Sequence, residues 1–319
     1  MQKHQLYIDR LRIRHLKLLE MIESHDSLRT IAEVLNTSQP ALSQLVRDLE
    51  NAFAASLVNR SARGVSLTPA GRLALQRVRQ AVAAIDHLSE ELEVGNIPVL
   101  RIGTNPVLLH DEAFPTAFAN MYAEGATLRY KISSARERLM VQALEDGEID
   151  CYLGIVNWDK MPAQAAFNLS YESLGRTPLT IICNRDHPLL ARDPLMASEL
   201  LEWQWALQPD GSYHRNLLEN AFRSLDLQTP DPVVEVSADP FALVQIIART
   251  DMLSCIPDTT IARLASDGLV RRLSPSDLKI EASNIQFVTL SQNRNFEPLN
   301  QLYGHLKATF AGNAGKARN

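Results

Sequence analysis

The run from Ser27 to Glu50, SLRTIAEVLNTSQPALSQLVRDLE, restricts what this chain can fold into more than any other stretch. Its spacing predicts two short helices joined by a tight turn. Ser27 stands where an N-cap belongs, because its side-chain oxygen can accept from a first-turn amide. Leu28, Ile31, Ala32 and Leu35 then recur at i, i+3, i+4 and i+7, one apolar face of a helix. Asn36 tolerates the left-handed backbone that ends a helix. Ser38 is the next N-cap, and Pro40 fits a first turn that needs no amide donor. Leu42, Leu45, Val46 and Leu49 form a second apolar face. The other side of that helix carries Pro40, Ser43, Gln44 and Arg47, with Gln39 at its leading end. Short polar and cationic side chains on an exposed helix face are what base edges in a major groove require. The plain alternative is an amphipathic helix pair inside an ordinary core.

The residues that follow weigh against that alternative. Leu57 to Gly71, LVNRSARGVSLTPAG, predicts a short hairpin with a glycine-containing tip and two arginines, Arg60 and Arg63. Such a wing can lay both arginines along phosphates or in a minor groove. Thr68 and Pro69 supply a cap and a first-turn proline for a further helix. Together these pieces resemble the DNA-binding domain of LysR-type transcriptional regulators. The family signature stands here as Ala32 to Leu35, Ser38 to Ser43, Leu49-Glu50, Arg60 to Gly64 and Leu67 to Gly71. One position departs from it. The residue after the helix serine is often Arg in the family and is Gln44 here, an amide that pairs better with adenine than with guanine.

The length of 319 residues suits two or three domains, and a 45% hydrophobic fraction supports a real core. No apolar run is long enough to span a membrane, and the N-terminus lacks the apolar stretch of a signal peptide, so a cytoplasmic location is expected. Cys151, Cys183 and Cys255 are far apart and form no C-x-x-C, which suits a reducing compartment. Buried small side chains are the expected role for them, although the resemblance also includes peroxide-sensing members that use a cysteine pair. Residues 1–70 carry nine Lys and Arg against seven Asp and Glu, in a chain of net charge −5. DNA affinity must then rest on placed arginines and on dimerisation, not on a broad basic field.

From Thr68 to about Glu93 the pattern predicts one long helix. Gly71, Val78, Ile85 and Leu92 repeat at seven, with Ala74, Ala81 and Leu88 between them. Such an a/d seam predicts pairing with a second copy through Val78, Ile85, Leu88 and Leu92. At about 1.5 Å per residue the helix is roughly 39 Å long, enough to space two recognition helices on a two-fold operator. The alternative is burial against its own chain. Gly95 to Pro98 then reads as a hinge.

Beyond it, strand and helix patterns alternate. Strands are expected at Val99–Thr104, Thr127–Ile132 and Cys151–Val156, with helices at Ala113–Tyr122 and, opened by Ser133 and Ser134, Ala135–Glu145. That order predicts a doubly wound parallel sheet. A second similar unit starts near Thr177, and the chain returns to the first with Ile285–Leu290 and Glu297–Phe310. This layout, with Leu144 to Asp150 and His187–Leu189, resembles the two-lobed effector domain of LysR-type regulators, similar to periplasmic solute-binding proteins. The expected α/β organisation is a winged helix-turn-helix domain (1–67), a linker helix and hinge (68–98) and an effector domain (99–319). Its first lobe takes about 99–172 and 276–310, its second about 173–275. Ligands of doubly wound sheets sit at strand C-termini and helix N-termini. Those positions are Thr104, Asn105, Ser133 and Ser134 in the first lobe, and Gln208, Ser212 and Tyr213 in the second. Capping and turn roles are the alternative for each. Trp203 and Trp205 are expected on one strand face, in the core.

Catalytic signatures are missing: no Gly-x-Ser-x-Gly elbow, no P-loop, no His-Glu-x-x-His, and no His cluster at metal-ligand spacing. The Arg136-Glu137-Arg138 run reads as an exposed helix turn. No cofactor or metal is expected. The chain is therefore expected to be a transcriptional regulator whose partners are an operator duplex, a small polar or anionic metabolite and other copies of itself. The resemblance implies dimers and often tetramers, and contact with RNA polymerase. Two rivals remain open at this point. One is a metabolic enzyme or solute-binding module with an incidental helix-turn-helix, and the other is a nucleoid-type DNA binder that needs no effector.

Overall fold

Ser27 and Ser38 cap the helices they precede, and the two caps set the frame of the N-terminal region. The computed structural model describes residues 8–9, 11–61, 64–109, 113–125, 127–161, 168–237, 240–264, 268–293 and 296–316. The chain divides into two compact units: residues 1–100 with 127–130 and 141–149, and residues 101–126, 131–140 and 150–319.

The first unit opens with helices α1 (Ile13–Ser24), α2 (Leu28–Val34) and α3 (Gln39–Phe53). Ser27 Oγ accepts from Arg29 N at 3.1 Å, and Ser38 Oγ from Ala41 N at 3.3 Å. Between α2 and α3 the chain turns at Asn36, with φ +48°, the left-handed conformation an Asn side chain tolerates. The helix thus ends at Val34 with Leu35 as its C-cap, as Asn36 leads one to expect. Leu35 is therefore 44% exposed and does not complete the expected apolar face. Ile31, Leu42, Val46 and Leu49 do point inward, against Leu18, Leu19 and Ile22 of α1.

Strands β1 (Val58–Ser61) and β2 (Gly64–Leu67) pair antiparallel, with Arg60 opposite Val65. Long helix α4 (Pro69–Glu93) follows, capped by Thr68. Thr68 Oγ1 accepts from Gly71 N at 2.9 Å and donates to Ser56 O at 2.7 Å. The first half of the α4 stripe, Gly71, Leu75, Val78 and Val82, is buried in this unit's core. Val78, expected in the dimer seam, is thus covered by its own chain, because α1 already packs on that part of the stripe. Ile85, Leu88 and Leu92 are 43%, 55% and 59% exposed.

Strands β3 (Val99–Thr104), β4 (Arg129–Ser134), β5 (Cys151–Gly154), β6 (Leu169–Thr177) and β12 (Ser283–Leu290) form one sheet in the order β4-β3-β5-β12-β6. β3 and β5 run parallel, and β12 returns antiparallel between β5 and β6. The helices that belong to it are α5 (Pro106–Leu109), α6 (Ala113–Ala123), α7 (Glu137–Asp146) and α11 (Glu297–Lys316). α6 packs on α11, and Tyr303 of α11 meets Phe287 with centroids 5.5 Å apart.

β6 stays paired to β12 through Thr177, so the crossing to the second sheet lies at Pro178 and not near residue 173. There β7 (Leu179–Asn184) pairs antiparallel with β10 (Ser254–Pro257) and β11 (Val270–Leu273), while β8 (Trp205–Leu207) and β9 (Pro232–Glu235) run parallel. Helices α8 (Tyr213–Arg223), α9 (Pro240–Ile247) and α10 (Asp258–Leu264) complete this region. Trp205 is in the core, edge-on to Phe222 at 6.2 Å. Trp203 lies outside the strand and packs on His187 at 4.2 Å. Glu219 on α8 is buried but not alone: Arg215 and Arg223 reach its oxygens at 2.8 and 2.7 Å. A buried carboxylate without such partners would be strongly destabilising.

Candidate nucleic-acid interface and effector site

The outward face of α3 presents Gln39, Pro40, Gln44 and Arg47 to solvent, with Ser43 half-buried beside them. Gln44 and Arg47 form a ladder with Asp48. Arg47 donates to Gln44 Oε1 through Nη2 at 2.8 Å and Nε at 3.1 Å, while Gln44 Nε2 donates to Asp48 Oδ1 at 2.7 Å. The i, i+3 and i, i+4 spacing makes these contacts available on one helix face. A face with this chemistry can donate to and accept from base edges, and its arginine can also meet phosphate.

Beside α3, Arg60 stands exposed on β1. Arg63 lies outside the described residues. The wing is fixed to the loop before α2: Val65 N donates to Asp26 O at 2.9 Å, and a Cβ on Gly64 (φ +126°) would collide with that same carbonyl. Glu50, read in the sequence only as part of a signature, holds the approach to β1. Its Oε1 accepts from Leu57 N at 2.9 Å and Val58 N at 3.2 Å. Nothing short of the three-dimensional turn could have revealed this, since the partners are seven and eight residues away.

In the second unit the expected ligand residues meet different fates. Thr104 is fully buried at the end of β3, its hydroxyl 3.4 Å from Asn105 O. Asn105 spends its side-chain oxygen on Leu108 N at 3.0 Å, capping α5. Ser133 and Ser134 are exposed on strand β4 and open no helix, because α7 starts later, at Glu137. Ala135 N, donating to Thr104 O at 3.3 Å, ties the ends of the two strands together. Gln208 follows β8 with its carbonyl 3.3 Å from Arg215 Nη1. Ser212 is the N-cap of α8 but makes no side-chain cap bond, and its Oγ is buried without a partner. Tyr213 is half-buried, with its ring edge-on to His214 at 6.1 Å. His214 is itself buried, and the loss of hydration holds its pKa down at about 4, so the ring is neutral near pH 7.

Sequence reasoning missed three residues here. Glu137 is half-buried, not part of a solvated turn, and its Oε1 accepts from Asn157 N at 2.6 Å. Burial raises its pKa, against the opposing pull of that amide and of Lys160. Lys160, in turn, donates to Gly211 O at 3.3 Å and so links the chain after β5 to the loop after β8. Tyr152 is fully buried on β5. The available signal was the position of Glu137 at the head of a helix that follows a strand end.

Two family models cover nearly all of this architecture. The bacterial regulatory helix-turn-helix model of the lysR family matches residues 13–72, and the LysR substrate binding domain matches residues 95–311. The chain belongs to the LysR family. It is a LysR-type transcriptional regulator with an effector-binding domain. Among relatives, the transcriptional regulator GbpR of Azospirillum brasilense is 28% identical over 77% of this chain and 71% of its own. PcaQ of Agrobacterium fabrum is 23% identical over 82% and 83%. The full-length regulator LysG of Corynebacterium glutamicum, solved with bound effector Arg, shares the fold with a TM-score of 0.60 at 17% identity over 95% of this chain and 99% of that one. A cysteine mutant of OxyR from Corynebacterium glutamicum gives 0.56 at 21% identity over 95% and 94%. Gln44 thus stands within a ladder that also positions Arg47.

The cysteines of this LysR-type chain are all buried. Burial pushes the Cys183 and Cys255 thiols up to about 12 and holds that of Cys151 well above the ordinary thiol range. Cys183 stands opposite Arg271 on one side of β7, whereas Cys255 stands opposite Ile181 on the other. A thiolate is the reactive form, so burial and a raised pKa make these thiols inert. A maleimide reagent at neutral pH is expected to leave the native protein unlabelled and to label all three cysteines after denaturation. Labelling of native protein would show an accessible thiol. Among the described residues no helix is long and apolar enough to cross a membrane, and no group of His, Cys, Asp and Glu is placed to hold a metal ion.

Proposed function

We propose that this regulator reads a two-fold operator in the cytoplasm with α3 in the major groove and the wing on the flanking backbone, and that a small polar or anionic metabolite controls it. The observation that carries the DNA-binding half is the polar ladder of Gln44, Arg47 and Asp48, exposed above an apolar face that is closed against α1. The metabolite is assigned to the loops that follow β3, β4 and β5 on one side and β8 on the other, which Lys160 already connects. Pairing through Ile85, Leu88 and Leu92 supplies the two-fold symmetry, with tetramers and contact to RNA polymerase as further steps. No catalytic role is assigned to the chain.

Footprinting on DNA flanking the protein's own gene, with and without candidate metabolites, tests the whole reading. A protected, dyad-symmetric site that changes with a metabolite supports it. Protection without sequence preference, unaffected by any metabolite, would favour a nucleoid-type binder. A Gln44→Ala variant is expected to lose roughly 1–3 kcal/mol on the specific site and little on random DNA. Equal weakening on both would show that Gln44 does not read a base.

A further inference from the structure

Among the described residues of the second unit, five buried side-chain polar atoms lack a hydrogen-bond partner, on Tyr152, Ser212, His214, Ser254 and Thr260, and the first three bear on the strand end and helix start described above. Tyr152 is fully buried, yet its hydroxyl meets no hydrogen-bond partner among the described residues. Its ring lies along β5 toward the strand's C-terminal end. A Cβ at Gly154 would collide with the Tyr152 hydroxyl and ring, so glycine is what lets the ring lie there. Ser212 Oγ and His214 Nε2 are likewise buried and unsatisfied, both in the first residues of α8. A native structure rarely strands buried polar atoms, and a missing ligand or water is a standard reason for it.

Two opposite charges are tied to the same segments. Glu137 uses one carboxylate oxygen on Asn157 N at 2.6 Å. Lys160 uses one of its three N–H groups on Gly211 O at 3.3 Å, next to Ser212. Lys160 N also donates to Asn157 O at 3.1 Å, so hydrogen bonds join Glu137, the turn 157–160 and the loop before α8, and the Glu137 charge acts on Tyr152. The two ends differ in sign. At the Lys160 end stand an ammonium, the Ser212 hydroxyl and the amides of the first turn of α8, which favour an anion. At the Glu137 end stand a carboxylate and the Tyr152 hydroxyl, which favour a cation or a strong hydrogen-bond donor.

We propose that this site holds a small zwitterion such as a free amino acid, with its ammonium group on Glu137 and Tyr152 and its carboxylate on Lys160, Ser212 and the start of α8. The proposal rests on the assignment of this region to effector binding and narrows it to one chemical class. A dicarboxylate would set a second negative charge against Glu137, and a sugar would leave both charges only partly used.

Thermal melting of the full chain provides the test. The probes are single L-amino acids, their N-acetyl and methyl-ester derivatives, matched dicarboxylates and monosaccharides. At least one free amino acid is expected to raise the melting temperature, and blocking either its amino or its carboxyl group should remove the effect. Calorimetric titration with that amino acid should then show at least a tenfold loss of affinity in Glu137→Gln, which keeps the side chain's shape and removes its charge. Tyr152→Phe should lose about threefold. The melting temperature of each variant without ligand reports whether it folds. If a dicarboxylate or a sugar stabilises the protein and amino acids do not, the zwitterion assignment falls while the effector reading stands. If no compound of any class shifts the melting temperature, both fall.

Discussion

Ile85→Asp is expected to sediment as a monomer and to lose measurable affinity for a two-fold operator. The reason lies in how the α4 stripe is shared out. Its first half packs into the core of its own unit, through Leu75, Val78 and Val82. The second half continues the same face but runs on exposed, with Ile85 43% and Leu92 59% accessible. A narrow apolar seam of this kind is stable in water when a second helix covers it. A carboxylate at its centre would be buried without a partner on pairing, a cost of several kcal/mol. Each half-site alone contributes too little to hold the operator. Ile85 is exposed in its own unit, so the variant should melt like the wild-type monomer. Sedimentation that finds intact dimers would remove the seam from the interface.

Gly71→Ala should cost about 3 kcal/mol or more, at the upper end of overpacking penalties. Gly71 is the last residue of the Leu-Thr-x-Ala-Gly segment and sits in the first turn of α4. An added Cβ would run into the Leu57 carbonyl oxygen, which itself accepts from Thr68 N at 2.9 Å. Backbone atoms on both sides leave no flexible side chain to yield. Denaturant unfolding should show a lowered midpoint for the transition that includes α1 to α4, with DNA binding lost alongside it. An unchanged midpoint would mean that α4 can shift along its axis to admit the methyl group.

The helix caps and the apolar faces of α3 and α4 were legible in the sequence because each depends on neighbours within one or two turns. Strands β6 and β11 were not. β6 is buried only at scattered positions, Leu169, Leu174 and Thr177, and β11 carries exposed Arg271 and Arg272 in its middle, so neither shows clean alternation. Both are recognisable only by the strands they pair with. Val78 was misplaced for a related reason. A heptad repeat records that a face is apolar but not whether the cover comes from α1 or from another molecule. Around the candidate effector site the sequence named polar groups at strand ends and helix starts. Thr104 and Asn105 are spent on local structure and Ser212 is left unsatisfied, while the buried hydroxyl of Tyr152, which the sequence did not single out, depends on packing that no spacing rule reports.

The bond between Val65 N and Asp26 O, with Gly64 pressed against the same carbonyl, has a consequence for control. It joins the wing to the loop that carries α2, so the reading helix and the wing are set before any DNA arrives. Such preorganisation means that binding pays little ordering entropy in each head. It also leaves a signal little to gain by loosening or tightening a single head. The adjustable quantity is then the spacing and tilt between two rigid heads. A given shift in that geometry penalises one operator spacing and favours another, so the same protein could hold its DNA in both signalling states and change only which phase of the double helix it grips.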